Sequence, residues 1–145
     1  MRTYSLRDML QADFDFYREL HRATLKPYVA QVWGWVEEQQ NRLLKERFNP
    51  SKMNIIQVNG EDIGVLQVEE RAEDVLLGNI LIHPSFQGQG LGSLIITDVV
   101  NAAAPLPVSL SVLRPNPARQ LYERLGFQVT SEEPERLHMT RNHQE

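Results

Sequence analysis

The sequence contains no cysteine in its 145 residues. This absence excludes a disulfide framework, a thiolate-ligated metal and a cysteine nucleophile. Histidine is scarce as well: four are present, at positions 21, 83, 138 and 143, and none forms a His-x-x-x-His pair. A zinc site is therefore unfavoured, and we predict no metal.

The chain also lacks long hydrophobic runs and a surplus of positive charge. No apolar run approaches the ~20 residues that a membrane-spanning helix needs. The polar first ten residues, which include Asp8, are unlike a secretory signal. The formal net charge is -4, which gives no reason to expect nucleic acid or a membrane as a partner. We predict a cytoplasmic protein.

The length and composition fit one domain that spans residues 1–145. Hydrophobic residues make up 41% of the chain and charged residues 23%, an ordinary mixture for a domain that buries its own core. No repeat or linker interrupts it.

The first part of the chain predicts helices followed by strands. We expect a short strand over residues 2–7 and two helices over residues 9–28 and 29–47, with Pro27 bending or ending the first helix. Three strands follow over residues 53–58, 63–68 and 75–82. Asn59-Gly60 predicts a tight hairpin turn between the first two, because both positions tolerate positive φ.

The second part predicts a change of sheet direction. A helix over residues 91–103 leads to a strand over residues 108–113, and a strand, a crossover helix and a strand form a parallel pair. A short helix over 116–125 and strands over 127–130 and 137–140 complete the chain. The order of elements indicates an α/β (α+β) fold with a mixed sheet and helices on both faces.

A glycine-rich loop joins the predicted strand over residues 75–82 to the predicted helix over residues 91–103. It reads His-Pro-Ser-Phe-Gln-Gly-Gln-Gly-Leu-Gly over residues 83–92. Glycine lets backbone approach a ligand closely, and the unpaired N–H groups of a helix N-terminus favour phosphate oxygens. Neither the Walker A template nor the dinucleotide template fits the glycine spacing. The loop itself thus predicts a phosphate binder, with tight strand–helix packing as the alternative.

Two motifs together identify a family. Gln87-x-x-Gly90-x-Gly92 resembles the acetyl-CoA signature of the GNAT superfamily of N-acetyltransferases. The segment from Asn116 to Phe127, Asn-Pro-Ala-Arg-Gln-Leu-Tyr-Glu-Arg-Leu-Gly-Phe, is similar to the second motif of that family. The resemblance covers residues 55–140 and implies a mostly antiparallel sheet that is splayed at its centre.

The resemblance also implies which residues bind acetyl-CoA as co-substrate. Backbone groups of Ile80, Leu81 and Ile82 would pair with the pantetheine arm. Asn116, which also suits a helix N-cap, would contact the same arm. The pyrophosphate would be held by backbone amides of the loop: Gln87, Gly88, Gln89, Gly90, Leu91, Gly92 and Ser93.

By the same resemblance, Tyr122 would protonate the departing CoA thiolate. A phenol of pKa ~10 and a thiol of pKa ~8.5 are close enough for this transfer. The alternative is a core tyrosine packed beside Leu121 and Leu125.

The attacking amine must lose a proton first, and family members often use a carboxylate on the central strands. Asn79 occupies a plausible position but is not a base, so Glu70, or its neighbour Glu69, is the acidic candidate, with His83 less favoured.

The N-terminal helices are expected to form the acceptor site, with Tyr28, Trp33 and Trp35 as substrate-binding candidates. An aromatic pair can hold a cationic amine. Neighbouring residues of one helix point apart, so both tryptophans reach one pocket only if Gly34 breaks the helix. In the alternative, one tryptophan is core and the other covers a groove or a subunit contact.

The sequence thus predicts an enzyme that moves the acetyl group of acetyl-CoA directly to a primary amine of a small molecule or peptide. A non-catalytic acyl-CoA-binding module and a different nucleotide binder are the alternatives. Many members of the family pair into dimers through terminal strands, so the resemblance leaves a homodimer open.

Overall fold

A computed structural model describes residues 3–143 of the chain. Its centre is a seven-stranded sheet with the strand order β1-β2-β3-β4-β5-β7-β6. The strands are β1 (Ser5–Asp8), β2 (Met53–Val58), β3 (Glu61–Glu70), β4 (Val75–Ile82), β5 (Val108–Leu113), β6 (Gln128–Glu132) and β7 (Arg136–Arg141). The helices are α1 (Phe14–Trp33), α2 (Glu37–Arg47), α3 (Leu91–Ala103) and α4 (Ala118–Arg124).

The predicted mixed α/β fold is confirmed. Strands β1 to β4 form an antiparallel meander, β4 and β5 are parallel, and β5, β7 and β6 are antiparallel again. Asn59 and Gly60 have φ of 52° and 79°, the positive values that a tight hairpin turn requires. Of the predicted first strand, Ser5–Asp8 is observed, and Arg2 lies outside the described residues.

The N-terminal helices differ from the prediction. Helix α1 runs through Pro27 and ends at Gly34, whose φ is 79°; α2 begins only at Glu37. A proline inside a helix costs roughly 3 kcal/mol, but α1 buries Tyr17, Leu20 and Val29 against the rest of the molecule. Tertiary packing therefore overrides the local signal, and the helix stops at a glycine, which adopts this positive φ without strain.

The sheet opens between β4 and β5. Their parallel pairing includes only Val75 with Val108 and Leu76 with Ser109, after which the strands diverge. The ladder between β3 and β4 is irregular beside this point: Gln67 pairs with Asn79 and Val68 with Leu77, which leaves Gly78 as an extra residue. Such a bulge bends a strand, and it turns the second half of β4 away from β5. The predicted splay is present.

The two faces of the sheet carry separate cores. On one face, α3 packs Leu91, Ile95 and Ile96 against β4, β5 and β7. On the other face, α1 and α2 cover β2, β3 and β4 with an aromatic cluster; Phe14 and Tyr17 lie 5.2 Å and 5.9 Å from the Phe48 ring. The predicted helices on both faces are confirmed.

Candidate active site

The splay creates a cleft of about 760 Å³. Its floor is formed by residues 77–82 of β4 and 110–113 of β5, and its walls by α1, α3 and α4. The backbone of β4 beyond Leu76 has no partner on the β5 side, and such a strand edge can pair with an extended ligand. Ile80, Leu81 and Ile82, predicted to pair with the pantetheine arm, lie along this edge.

The glycine-rich loop closes one end of the cleft. Gly88 and Gly90 have φ of 74° and 83°, and Gly90 is the N-cap of α3 without a side-chain cap. The first intrahelical hydrogen bond is donated by the Leu94 N–H to the Gly90 carbonyl (3.1 Å). The preceding amides of the first turn therefore point out of the helix, where they and the helix dipole suit an anion.

Side chains of the loop hold its shape. Gln87 Nε2 donates to the Ile82 carbonyl (2.8 Å) and Gln89 Nε2 to the Ser85 carbonyl (3.4 Å). The space beside the Cα atoms of Gly88 and Gly90 is open, and a Cβ at either position would meet nothing within 4 Å. This open space beside converging amides fits a phosphate group. Of the predicted loop residues, Gln87, Gly88, Gly90, Gly92 and Ser93 line the cleft, whereas Gln89 does not and the Leu91 side chain is buried in the core.

Helix α4 places Asn116 and Tyr122 on the cleft wall. Asn116 Oδ1 accepts from the Ala118 N–H at 2.9 Å, so its side chain does satisfy an amide of the first turn, although the N-cap position itself is Pro117 and not Asn116. The helix ends with hydrogen bonds from the Gly126 N–H to the Glu123 carbonyl (3.1 Å) and from the Phe127 N–H to the Tyr122 carbonyl (3.0 Å). These two hydrogen bonds around a glycine of φ 96° form a Schellman motif. The motif fixes Tyr122 on a rigid turn.

The Tyr122 side chain is partly buried, and its ring centroid lies 5.9 Å from that of Phe127. Burial raises the pKa of Tyr122 to about 12. The phenol is therefore protonated at neutral pH, as a proton donor must be, but it is a weaker acid than the unperturbed phenol of pKa ~10 from which its role was predicted.

The predicted bases are not assembled at the cleft. Glu70 is exposed and pairs with Val75 at the far end of β4, and Glu69 is bound to Lys52 (2.7 Å). Asn79 does line the cleft, and its Nδ2 donates to Gln67 Oε1 at 2.7 Å. His83 Nδ1 accepts from the Ser85 N–H (3.1 Å). Among the described residues that line the cleft, none is a carboxylate or an imidazole.

The three aromatic substrate candidates are separated. Tyr28 lines the cleft on the α1 side. Trp33 is 54% exposed and Arg136 lies over its ring at 5.6 Å. Trp35 Nε1 donates to Glu37 Oε2 (2.6 Å), with Lys26 5.4 Å from its ring. Gly34 does break the helix, as a shared pocket would require, but neither indole is among the residues that line the cleft.

Several side chains beside the cleft were not predicted from the sequence. Thr24 and Pro27 of α1 and Ser111 of β5 line it. Because Pro27 has no N–H, the Ala23 carbonyl lacks its usual partner four residues on, and Ala23 also lines the cleft. The helical periodicity of α1 could have indicated which of its side chains share a face with Tyr28. The prediction that Pro27 bends or ends the helix prevented that assignment.

This geometry has counterparts among known proteins. A family model described as the acetyltransferase (GNAT) domain matches residues 49–129. The chain therefore belongs to the GNAT acetyltransferase family. A search of curated proteins found no match.

Solved structures share the fold at low identity. The PaiA N-acetyltransferase from Thermoplasma acidophilum, in complex with coenzyme A, has a TM-score of 0.78 and 16% identity over 97% of this chain and 99% of that one. An acetyltransferase from Thermus thermophilus has a TM-score of 0.73 and 20% identity over 97% of each chain. An N-acetyltransferase from Staphylococcus aureus has a TM-score of 0.71 and 11% identity over 94% of this chain and 99% of that one.

Two features are absent from residues 3–143, the part of the chain that the structure describes. No helix there is long and apolar enough to cross a membrane. No group of three or more His, Cys, Asp or Glu side chains in that range is placed to hold a metal ion.

Proposed function

We propose that this protein transfers the acetyl group of acetyl-CoA to a primary amine of a small molecule or peptide. One observation carries the proposal: a single cleft joins the anion-binding loop, the unpaired edge of β4 and the Tyr122 phenol. The coenzyme A in the PaiA complex supports the identity of the co-substrate.

The residues of the cleft suit direct transfer. The first-turn amides of α3 would hold the pyrophosphate, and the β4 edge would pair with the pantetheine arm. The amine nitrogen attacks the thioester carbonyl, the carbon–sulfur bond breaks, and Tyr122 donates its proton to the thiolate. Asn79, held by Gln67, would orient the acceptor or a water, and Tyr28 would contact the acceptor from α1.

Calorimetric titration with acetyl-CoA, with ATP and NAD as controls, tests the binding step. We expect micromolar binding of acetyl-CoA that is lost in Gly90→Glu, because the new side chain puts a carboxylate and bulk at the loop. Tight ATP binding without competition by CoA would contradict the proposal.

Tyr122→Phe tests the chemistry. It should lower kcat for thiol release about 100-fold, within the range of general-acid catalysis, and leave acetyl-CoA affinity nearly unchanged. Equal turnover by the two proteins would remove Tyr122 from the mechanism.

A non-catalytic acyl-CoA-binding module is the second candidate, favoured by the lack of a carboxylate or imidazole among the described cleft-lining residues. Acetyl-CoA binding with no thiol release across an amine screen would support this candidate. A cytoplasmic location and a homodimer stay predictions.

A further inference from the structure

A second, polar groove of about 370 Å³ adjoins the cleft. Leu110 and Ser111 line both, so the two spaces meet at β5. The groove lies over strands β5, β7 and β6, and its lining includes the side chains of Ser109, Thr130, Ser131, His138 and Thr140.

His138 lies in this groove directly opposite Ser111. The two residues are register partners on β7 and β5, and such pairs place their Cβ atoms about 4.5–5.5 Å apart on the same face. On the other side, His138 is the register partner of Ser131. The neighbouring Leu137 and Met139 are buried in the α3-side core, so the imidazole projects to the face that α1 partly covers.

Glu133 orients the imidazole. His138 Nε2 and Glu133 Oε2 lie 2.5 Å apart, which makes Nε2 the protonated nitrogen of the neutral ring and leaves Nδ1 as a proton acceptor. Arg71, which lines the groove, is paired with Asp74 (2.6 Å), and Arg114, which lies past the turn and outside the groove lining, is paired with Glu132 (3.1 Å). Glu133 is therefore the charge that governs this ring.

We propose that His138, oriented by Glu133, accepts the proton of the acceptor amine through the Ser111 hydroxyl. The inference rests on the acetyltransferase function proposed above. The amine enters as an ammonium, gives one proton to Ser111 Oγ as the hydroxyl proton passes to His138, and attacks the thioester carbonyl. The carbon–sulfur bond breaks, the second proton of the nitrogen ends on sulfur through Tyr122, and the imidazolium releases its proton to solvent.

The test uses an amine that the wild-type protein acetylates. His138→Gln should lower kcat/KM for that amine about 100-fold at pH 7, the lower end of the range for general-base catalysis. It should also alter the pH profile of kcat/KM, which a merely structural residue would leave unchanged. Acetyl-CoA affinity, measured by calorimetry, should not change. His138→Ala should regain activity with added imidazole, which a merely structural residue would not allow.

A matched pair of glutamates isolates the orienting group. Glu133→Gln removes the carboxylate that holds Nε2 of the ring, so kcat should fall while KM and acetyl-CoA affinity change little. Glu132→Gln, one residue away and paired with Arg114, should leave kcat and KM unchanged.

Two results would overturn the inference. One is a folded His138→Gln protein with the kcat/KM and pH profile of the wild type. The other is a pH midpoint that follows the pKa of the amine across acceptors of similar shape, since the amine would then lose its proton without help. If the wild-type protein binds acetyl-CoA and acetylates no amine, the proposed function itself fails and this inference with it. If the wild-type protein acetylates the amine but the His138 variants behave like the wild type, only the inference about His138 fails, and the proposed acetyltransferase function is unaffected.

Discussion

The two faces of the sheet are covered to different extents. The α3 face is closed along β4, β5 and β7 by an apolar core in which Ile95, Val108 and Met139 are fully buried. On the opposite face, α1 and α2 cover β2 to β4 with aromatic side chains, whereas β5, β7 and β6 present hydroxyls and His138 to a groove. The cleft lies between these regions.

The closed α3 face contributes mainly to stability, whereas the open half of the opposite face holds polar groups. Apolar burial stabilises by about 25 cal/mol per Å², so the closed face supplies most of the rigidity. The open half of the other face keeps its polar groups exposed. Placing reactive groups on the edge of a rigid core holds them in position without burying their charge.

The largest expected loss of stability comes from a substitution in the closed α3 face. Ile95→Ala should lower the free energy of unfolding by about 2–5 kcal/mol, because Ile95 is 0% exposed and its removal leaves a cavity. Ser109→Ala, on the open face, should lower it by only about 1 kcal/mol, because the change removes the hydroxyl contacts with Thr140 (3.5 Å) and Asp74 and leaves no large cavity. Urea denaturation of both variants measures the contrast, and similar losses would show that the faces do not differ.

A pH effect is expected from the covered part of the second face. Burial, and then repulsion from Arg47, lowers the pKa of His21 to about 4, and its Nδ1 is buried without a partner in the described residues. The unfolded chain binds this proton below pH ~6.5 and the folded chain only below pH ~4, so stability falls as the pH drops through this window.

Between pH 7 and pH 5 this group should remove about 2 kcal/mol from the free energy of unfolding. His21→Phe, which keeps a ring beside Tyr17 and Trp35, should flatten that part of the pH dependence. Urea denaturation at both pH values is the measurement, and an unchanged slope in the variant would assign the effect to other groups.

The smallest expected effects distinguish a glycine of the ligand-binding loop from a glycine that packs against its neighbours inside α3. Gly90 has φ of 83°, so Gly90→Ala should cost about 1 kcal/mol of stability and weaken acetyl-CoA binding. Gly92 lies inside α3, and a Cβ there meets Ile82 and Leu121 at an ordinary 3.6 Å.

Gly92→Ala should therefore stabilise the fold by roughly 0.5 kcal/mol and preserve binding. Thermal unfolding with and without acetyl-CoA compares the two alanine variants. If both behave alike, the positive φ of Gly90 is not what distinguishes the loop positions.

Local signals predicted much of this molecule because they act over a few residues. The bounds of β2, β4, α3 and β5 match the prediction, since each combines a clear hydrophobic period with a nearby turn or proline. The glycine loop and Tyr122 were found because two motifs have fixed spacing. Helix α1 was mispredicted at Pro27, where a local penalty is offset by packing that the sequence does not display.

The sequence by itself determined the strands, the α3 N-terminus and the position of Tyr122 at the end of a capped helix, because backbone geometry and periodicity are encoded locally. Only the tertiary structure decided that Glu70 lies away from the cleft, that Trp33 and Trp35 lie outside it, and that His138 lies opposite Ser111. These relations join residues far apart in the chain, through strand register and a bulge at Gly78. A shift of one residue in that register would move every side chain to the other face.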